Sequence, residues 1–120
     1  MQVKITEPVI LQNDFAMIPL THGMAAIVDP CMVEQLAKHK WKAVRSSHCW
    51  YAVRDIIIDG IEDRVRMHRI IVNCPADMIV HHINRRSLDN RRSNLRVMAQ
   101  LDHQNLHNFL GHYHNVQIPL

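Results

Sequence analysis

Apolar and polar positions alternate in several short runs of the first 75 residues, with the spacing of half-buried β-strands. Residues 16–29 predict two short strands around a turn at Thr21–Gly23, and WKAVRS predicts a strand that opens at Trp41. After a turn at Ser46–Ser47, CWYAVRDIII gives the strongest strand signal in the chain, because it is rich in β-branched and aromatic side chains. Asp59–Gly60 is a hairpin-turn dipeptide, so RVRMH is the predicted returning strand.

Two segments of this region carry helical signals instead. Asp29 and Pro30 have the residue types of an N-cap and a first helical position, which predicts a helix through CMVEQLAKHK. MHRIIVN predicts a short helix that ends before Pro75. The pattern thus indicates a small, mostly antiparallel β layer over residues 1–75, with one or two helices against it.

The pattern changes after residue 75. MIVHH and NLRVM (Asn94–Met98) predict two strands separated by a ten-residue polar loop, Asn84–Ser93. Ala99 to about Leu110 predicts a helix. The chain is therefore expected to be α+β, with a β layer at 1–75 and a strand–loop–strand–helix unit at 76–120 packed together rather than independent.

Positive charge is concentrated in one part of the chain. Residues 64–96 hold eight arginines against only Asp77 and Asp89, although the whole chain has a net charge of just +3. Arginine is the side chain suited to forked contacts with phosphate. A localised phosphate-binding surface is therefore expected, and a merely solvated loop is the plainer alternative.

The cysteines and the hydropathy pattern bear on the compartment. Cys31, Cys49 and Cys74 are odd in number and form no CxxC pair, so buried free thiols are expected rather than a disulfide framework or a cysteine zinc finger. The N-terminus lacks the apolar run of a signal peptide, and no stretch approaches the length of a membrane span. We therefore expect an intracellular protein with no membrane partner.

The candidate chemistry lies in a set of histidines around one asparagine. Asn94 follows 12 residues after His82, His103 follows 9 residues after Asn94, and His107 lies 4 beyond that. His103 and His107 share a helix face and can meet one ion. His81 and His82 are adjacent on a strand and point to opposite faces, so one could bind the metal while the other faces the reacting water.

Such a site would suit a particular group of metals. Three nitrogen ligands with an open position are typical of catalytic transition-metal sites, and they favour zinc, nickel, cobalt or manganese over magnesium. Carboxylates are scarce here, since Asp89 and Asp102 are the only two between residues 78 and 120. A two-metal nuclease built on acidic residues is therefore not expected.

The segment VHHINRRSLDNRRSNLRVMAQLDHQNLHN resembles the HNH, or ββα-metal, endonucleases. The likeness is close over residues 78–108. Upstream, PLTHGMAAIVD, KWKAV, YAVR and RMHRIIV look like the N-terminal layer of phage- and intron-encoded homing proteins of this family. The resemblance implies an endonuclease that cuts DNA with one divalent metal ion (zinc, nickel, manganese or magnesium) and leaves 5′-phosphate and 3′-hydroxyl ends. It also makes residues 1–75 a candidate DNA-contacting region and implies a bacterial cytoplasm as the location if a phage encodes the chain.

The resemblance also assigns roles to residues. His82 would be the general base, and Asn94 would hydrogen-bond backbone across the loop and fix that base. The spacing HH…N…H…H is similar to the colicin-type nucleases, which implies His81, His103 and His107 as metal ligands. Phosphates flanking the cut would be held by the five arginines of the motif, namely Arg85, Arg86, Arg91, Arg92 and Arg96. His68, in RMHR, resembles a position of structural use and is expected to pack.

One departure from the homing pattern leaves alternatives open. Homing-type members usually carry Asp-His where this chain has His81-His82, and loss of that carboxylate should weaken magnesium binding. The alternatives are a catalytically inactive, metal-stabilised DNA-binding module and a structural protein whose histidines hold zinc. Only about 12 residues follow the motif, so specificity would come from the N-terminal layer, from a homodimer or from another partner.

Overall fold

The computed structural model describes residues 7–11 and 14–101, which form three small antiparallel sheets and two short helices. The first sheet contains β1 (Val9–Leu11), β2 (Phe15–Pro19) and β3 (Ala25–Val28), the second contains β4 (Lys42–Ser46), β5 (Cys49–Ile58) and β6 (Ile61–Arg66), and the third contains β7 (Met78–His82) and β8 (Leu95–Ala99). The helices are α1 (Val33–Leu36) and α2 (Met67–Ile71). This arrangement confirms the α+β class.

The β-strands lie close to where the alternation placed them. β5 and β7 match their predicted bounds, and the turn between β5 and β6 consists of Asp59 (φ 51°) and Gly60 (φ 80°). Two central residues with positive φ give the turn whose twist suits a two-residue hairpin. The returning strand begins at Ile61 and stops at Arg66, because Met67 and His68 turn into α2 and are buried there.

The expectation of a single sheet over residues 1–75 was wrong, since this region forms two three-stranded sheets. The chain leaves the first sheet after Val28 and crosses to the second through a 3₁₀ turn (Pro30–Met32) and α1. β1, which the pattern did not indicate, pairs with β2 as an outer strand.

The predicted helix through residues 31–40 was too long, because α1 ends at Leu36. The indole Nε1–H of Trp41 donates to the Leu36 carbonyl at 2.8 Å and so takes one of the terminal helix acceptors. Asp29 does not cap the helix with its side chain; its Oδ2 instead accepts the backbone N–H of Arg92 at 2.9 Å. A side chain just beyond the helix therefore sets its C-terminal end, whereas the residue expected to cap its N-terminus bonds a segment 63 residues away.

One apolar core joins the sheets. Ala16, Ile18, Ala26 and Val28 point inward from β2 and β3 and are at most 2% exposed. Leu95 of β8 belongs to the same cluster, so the C-terminal strands pack on the N-terminal layer.

The three cysteines are free, but the expectation that all are buried was wrong. Cys31 is exposed, and Cys49 and Cys74 are half-buried. Within residues 7–11 and 14–101, no helix has the length and apolar character needed to cross a membrane.

Candidate active site

The β7–β8 hairpin positions both histidines of the predicted pair. His81 lies opposite Arg96 and His82 opposite Leu95 in the antiparallel register. Adjacent strand residues point to opposite faces, so the two imidazoles lie on different sides of the hairpin. His82 is buried with 8% exposure, whereas His81 is half-buried.

His82 lies in a cluster of rings contributed by three elements. Its ring centroid is 5.2 Å from that of His68 in α2, in an edge-on arrangement, and 6.3 Å from that of Tyr51 in β5. Tyr51 and His68 are themselves 5.9 Å apart. The candidate base is thus held between the β7–β8 hairpin and the N-terminal layer.

A hydrogen bond fixes the orientation of the His82 ring. Nε2 of His82 lies 2.8 Å from Oδ1 of the fully buried Asn90. With the Asn90 amide in this orientation its oxygen accepts, so Nε2 of His82 carries the proton and Nδ1 carries the lone pair.

Burial lowers the pKa of His82, and this effect outweighs the Asn90 hydrogen bond and the Asp89 charge, both of which favour the protonated ring. The His68 pKa falls further, to about 3, because of burial and then the nearby charges of His82, Arg66 and Arg69. Both imidazoles are therefore neutral at neutral pH, and a neutral imidazole is the form that can accept a proton.

Asn94 ties the two ends of the loop together. Its Nδ2–H donates to the Asp89 carbonyl at 2.8 Å, and its Oδ1 accepts the backbone N–H of Asn84 at 2.8 Å. The Asn94 carbonyl also accepts the backbone N–H of Ile83 at 2.8 Å. These bonds fix the backbone of the two residues directly after His82, and so they hold the candidate base in place. Asn94 ends a 3₁₀ turn (Arg92–Asn94), and the predicted second strand begins one residue later, at Leu95.

Asp89 and Asn90 are two site residues to which sequence reasoning gave no role. The expected polar loop is in fact docked: Asp89 is 2% exposed and Asn90 0%. The backbone of Ile27 in β3 donates to the Leu88 carbonyl at 2.8 Å and accepts from the Asn90 N–H at 2.7 Å. Leu88, the one apolar residue of the loop, was the available signal of this docking.

The Asp89 carboxylate organises the loop. It accepts from Nε and Nη2 of Arg91 at 2.9 and 2.8 Å and from Nδ2 of Asn84 at 2.8 Å. Burial alone would raise the pKa of Asp89, but these donors outweigh burial and hold it below its usual value. Asp89 is therefore charged at neutral pH, with Arg91 as its counter-ion.

The five arginines predicted to contact DNA differ in their surroundings. Arg85, Arg86 and Arg96 are exposed, and Arg85 has a positive φ of 64°. Arg91 is committed to Asp89, and the exposed Arg92 donates its backbone N–H to Asp29. The loop therefore uses Arg91 for its own structure.

The expected metal ligands lie partly outside the described residues. His81 is placed on β7, but His103 and His107 lie outside the described residues. The helix predicted to carry them is described only at its first two residues, Gln100 and Leu101. Among residues 7–11 and 14–101, no three His, Cys, Asp or Glu side chains are grouped so that they could hold a metal ion.

A comparison with protein-family models bears on this unit. Residues 66–105 match the HNH endonuclease family. The matched segment contains α2, the β7–β8 hairpin and the docked loop, and it covers a third of the chain. No curated protein and no solved structure matches the chain.

The HNH match supports a nuclease, and hence a hydrolase that acts on DNA. The α2 helix, which brings His68 to His82, falls inside the matched HNH segment. Sequence patterning placed the boundary of this unit at residue 76, after that helix.

Proposed function

We propose that this protein is a metal-dependent DNA endonuclease in which His82 is the general base. The observation that carries the proposal is the combination of a neutral, oriented His82 with Asn94 bridging the loop behind it, inside the segment that matches the HNH model. An exposed histidine on a mobile loop would lack that orientation.

His82 would take a proton from the attacking water at Nδ1. Its Nε2–H stays on the Asn90 oxygen, and the Asp89 charge stabilises the imidazolium that forms. The hydroxide equivalent attacks phosphorus in line and the bond to the 3′-oxygen breaks. The departing 3′-oxygen takes a proton from solvent water, which leaves 5′-phosphate and 3′-hydroxyl ends.

Asn94 and Asp89 are positioning residues in this scheme. The Asn94 side chain fixes the backbone of Asn84, two residues beyond the base, and its donor bond ends on the Asp89 carbonyl. Arg85, Arg86, Arg92 and Arg96 would contact flanking phosphates, while Arg91 supports the loop from within.

A bound divalent ion would supply a Lewis acid that offsets negative charge on the phosphate and on the leaving oxygen. His81, on the face of β7 opposite His82, provides an imidazole of the kind that zinc, nickel, cobalt and manganese accept. We propose His103 and His107 as its partners, because the helix that would carry them starts at Gln100, directly after β8.

A second candidate is a metal-stabilised DNA-binding module without catalysis. Two observations favour it: His81 stands where homing-type members usually carry aspartate, and His82 has only 8% of its surface exposed. Both could limit the access of water and metal to the base.

Supercoiled-plasmid relaxation separates the two candidates. Purified protein stripped with EDTA is assayed in magnesium, manganese, nickel and zinc separately, beside His82→Ala and the exposed-residue control His48→Ala. We expect the wild type and the control to nick DNA. His82→Ala should lose at least about 100-fold in cleavage rate, the lower range for removal of a general base. It should still bind DNA in a gel-shift assay.

Each result has a distinct meaning. Equal cleavage by His82→Ala would remove the base assignment. DNA binding by the wild type with no cleavage in any metal would favour the binding module instead.

A further inference from the structure

A cleft of about 600 Å³ lies beside the ring cluster, between the second sheet and the β7–β8 hairpin. One wall is the face of the second sheet that carries Tyr51 and Val53, and the other is formed by α2 and β7. Gln100, the first helical residue after β8, also lines the cleft. The cleft therefore runs from the N-terminal layer to β7 and the residue that follows β8.

Arginines dominate the polar lining of this cleft. Arg45, Arg64, Arg66 and Arg69 come from β4, β6 and α2, and no Asp or Glu lines the cleft in the part of the chain that the structure describes. Like charges gathered around one cleft repel each other, and an anion bound among them would relieve that repulsion. The effect of Arg66 and Arg69 on the His68 pKa shows that their charges are felt at the floor of the cleft.

Two of the four arginines are anchored and two are not. The guanidinium of Arg69 donates to the carbonyls of Met78 at 2.9 Å and Pro75 at 2.7 Å, and Nε of Arg64 donates to Asp55 at 3.1 Å. The side chains of Arg45 and Arg66 are exposed, and neither guanidinium has a hydrogen bond or ion pair to another described residue. Their donors are available to a ligand, whereas Arg64 and Arg69 give the wall its shape.

The cleft and the candidate base share a wall. Tyr51 and His68 line the cleft, and both of their rings contact the ring of His82. A polyanion that lies along the arginines would thus pass directly beside the buried base.

We propose that this cleft binds the phosphodiester backbone of DNA that flanks the cut, with Arg45 and Arg66 each contacting one phosphate. The inference deepens the proposed endonuclease and rests on it for the identity of the ligand. It assigns DNA binding to the second sheet through Arg45 of β4 and Arg66 of β6, neither of which is among the five arginines that the resemblance placed on DNA.

The test is the salt dependence of DNA binding in EDTA, so that binding is measured without cleavage. Wild type, Arg45→Gln/Arg66→Gln and the control Lys38→Gln/Lys40→Gln, which loses the same charge from exposed residues near α1, are titrated onto a labelled DNA duplex. Each phosphate contact contributes roughly 0.9 to the slope of log affinity against log salt, so the cleft variant should lose about 1.8 of the slope. The control should keep the wild-type slope.

A charge-preserving variant, Arg45→Lys/Arg66→Lys, guards against loss of folding. It should retain the wild-type slope, because a lysine can still neutralise a phosphate. The proposal is overturned if Arg45→Gln/Arg66→Gln, shown to be folded by its urea transition, has the slope of the control.

The outcome is separable from that of the proposed function. Wild-type protein that binds through the cleft but never cleaves would remove the endonuclease proposal and leave the cleft assignment standing. Failure of the wild type to bind DNA at low salt would overturn both.

Discussion

At the scale of single residues, the two buried histidines, His68 and His82, differ in their hydrogen bonding. His82 has a hydrogen-bond partner in Asn90, whereas Nδ1 of the buried His68 has none among the described residues. His68 packs, as its resemblance to a structural position predicted, and its ring edge meets the ring of His82. The effect of His68 on the free energy of unfolding depends on pH, because a protonated ring in that buried position would lose its hydration.

The stability of the protein should therefore fall in mild acid. The His68 pKa lies near 3 in the folded state, below its ordinary value of 6.5, so the unfolded chain takes up the proton first. The stabilising contribution is complete above 6.5 and is lost as the pH falls toward 3, at up to about 1.4 kcal/mol per pH unit. Urea unfolding at about pH 7 and about pH 5, in EDTA, measures the slope.

His68→Phe should flatten that slope, since the phenyl ring fills similar space without titrating. The exposed-residue variant His48→Phe serves as the control and should keep the wild-type dependence. A slope that is unchanged in His68→Phe would show that other groups govern the acid response.

At the scale of elements, the polar pattern predicted a solvated loop between β7 and β8, and part of this loop is buried. Its sequence, NRRSLDNRRS, is typical of a solvated connection. The structure instead buries Asp89 and Asn90 against β3, because their polar groups find partners in Arg91, His82 and Ile27. A buried polar residue is stable only when such partners exist. Arg91 and His82 lie within eight residues of the groups they bond, and only Ile27 comes from a distant part of the chain.

Asp89→Asn should destabilise the loop and weaken cleavage. The substitution leaves Arg91 without its counter-ion and replaces one of the two oxygens that accept from its guanidinium and the Asn84 amide with a donor NH2. We expect a loss of about 3 kcal/mol, the lower end for breaking a buried pair, because Arg91 is partly exposed. Urea unfolding and plasmid nicking are the readouts.

Asp55→Asn is the matched control. Asp55 also pairs with two cations, Lys42 and Arg64, but about half of its side chain is exposed. Solvent screens such pairs, so the loss should be much smaller than for Asp89→Asn. Equal losses in the two variants would contradict the structural role given to Asp89.

At the scale of the whole molecule, one core serves both the N-terminal layer and the β7–β8 hairpin. Leu95 of β8 packs in the cluster that includes Ala16 and Val28, and the 88–90 segment bonds to Ile27 of β3. Ligands that bind the C-terminal unit should therefore stabilise the entire chain rather than one part.

Metal binding should raise the thermal unfolding midpoint of the whole protein. A ligand present at about 100 times its Kd adds roughly 2.7 kcal/mol to the stability of the folded state. The rise should disappear in His81→Ala, His103→Ala and His107→Ala and persist in His48→Ala, with zinc and nickel tested separately. A rise that survives in all three ligand variants would exclude this ligand set, whatever the nicking assay shows.

The sequence by itself determined several of the local elements. Alternation and turn dipeptides were enough for β5, β7 and the Asp59–Gly60 hairpin, because these depend on near neighbours. The resemblance to the HNH endonucleases implied that Asn94 bonds backbone across the loop, and the structure places its side-chain hydrogen bonds on Asn84 and Asp89.

Only the tertiary structure decided which polar groups are buried and what surrounds the base. The split of the N-terminal layer into two sheets and the arginine cleft depend on residues far apart in the chain. The early end of α1 at the Trp41 indole and the bond from His82 to Asn90 join residues within eight positions of each other, but they depend on how the chain packs around them. Local pattern carries no information on such encounters, because burial and hydrogen-bond partners are set by packing across elements.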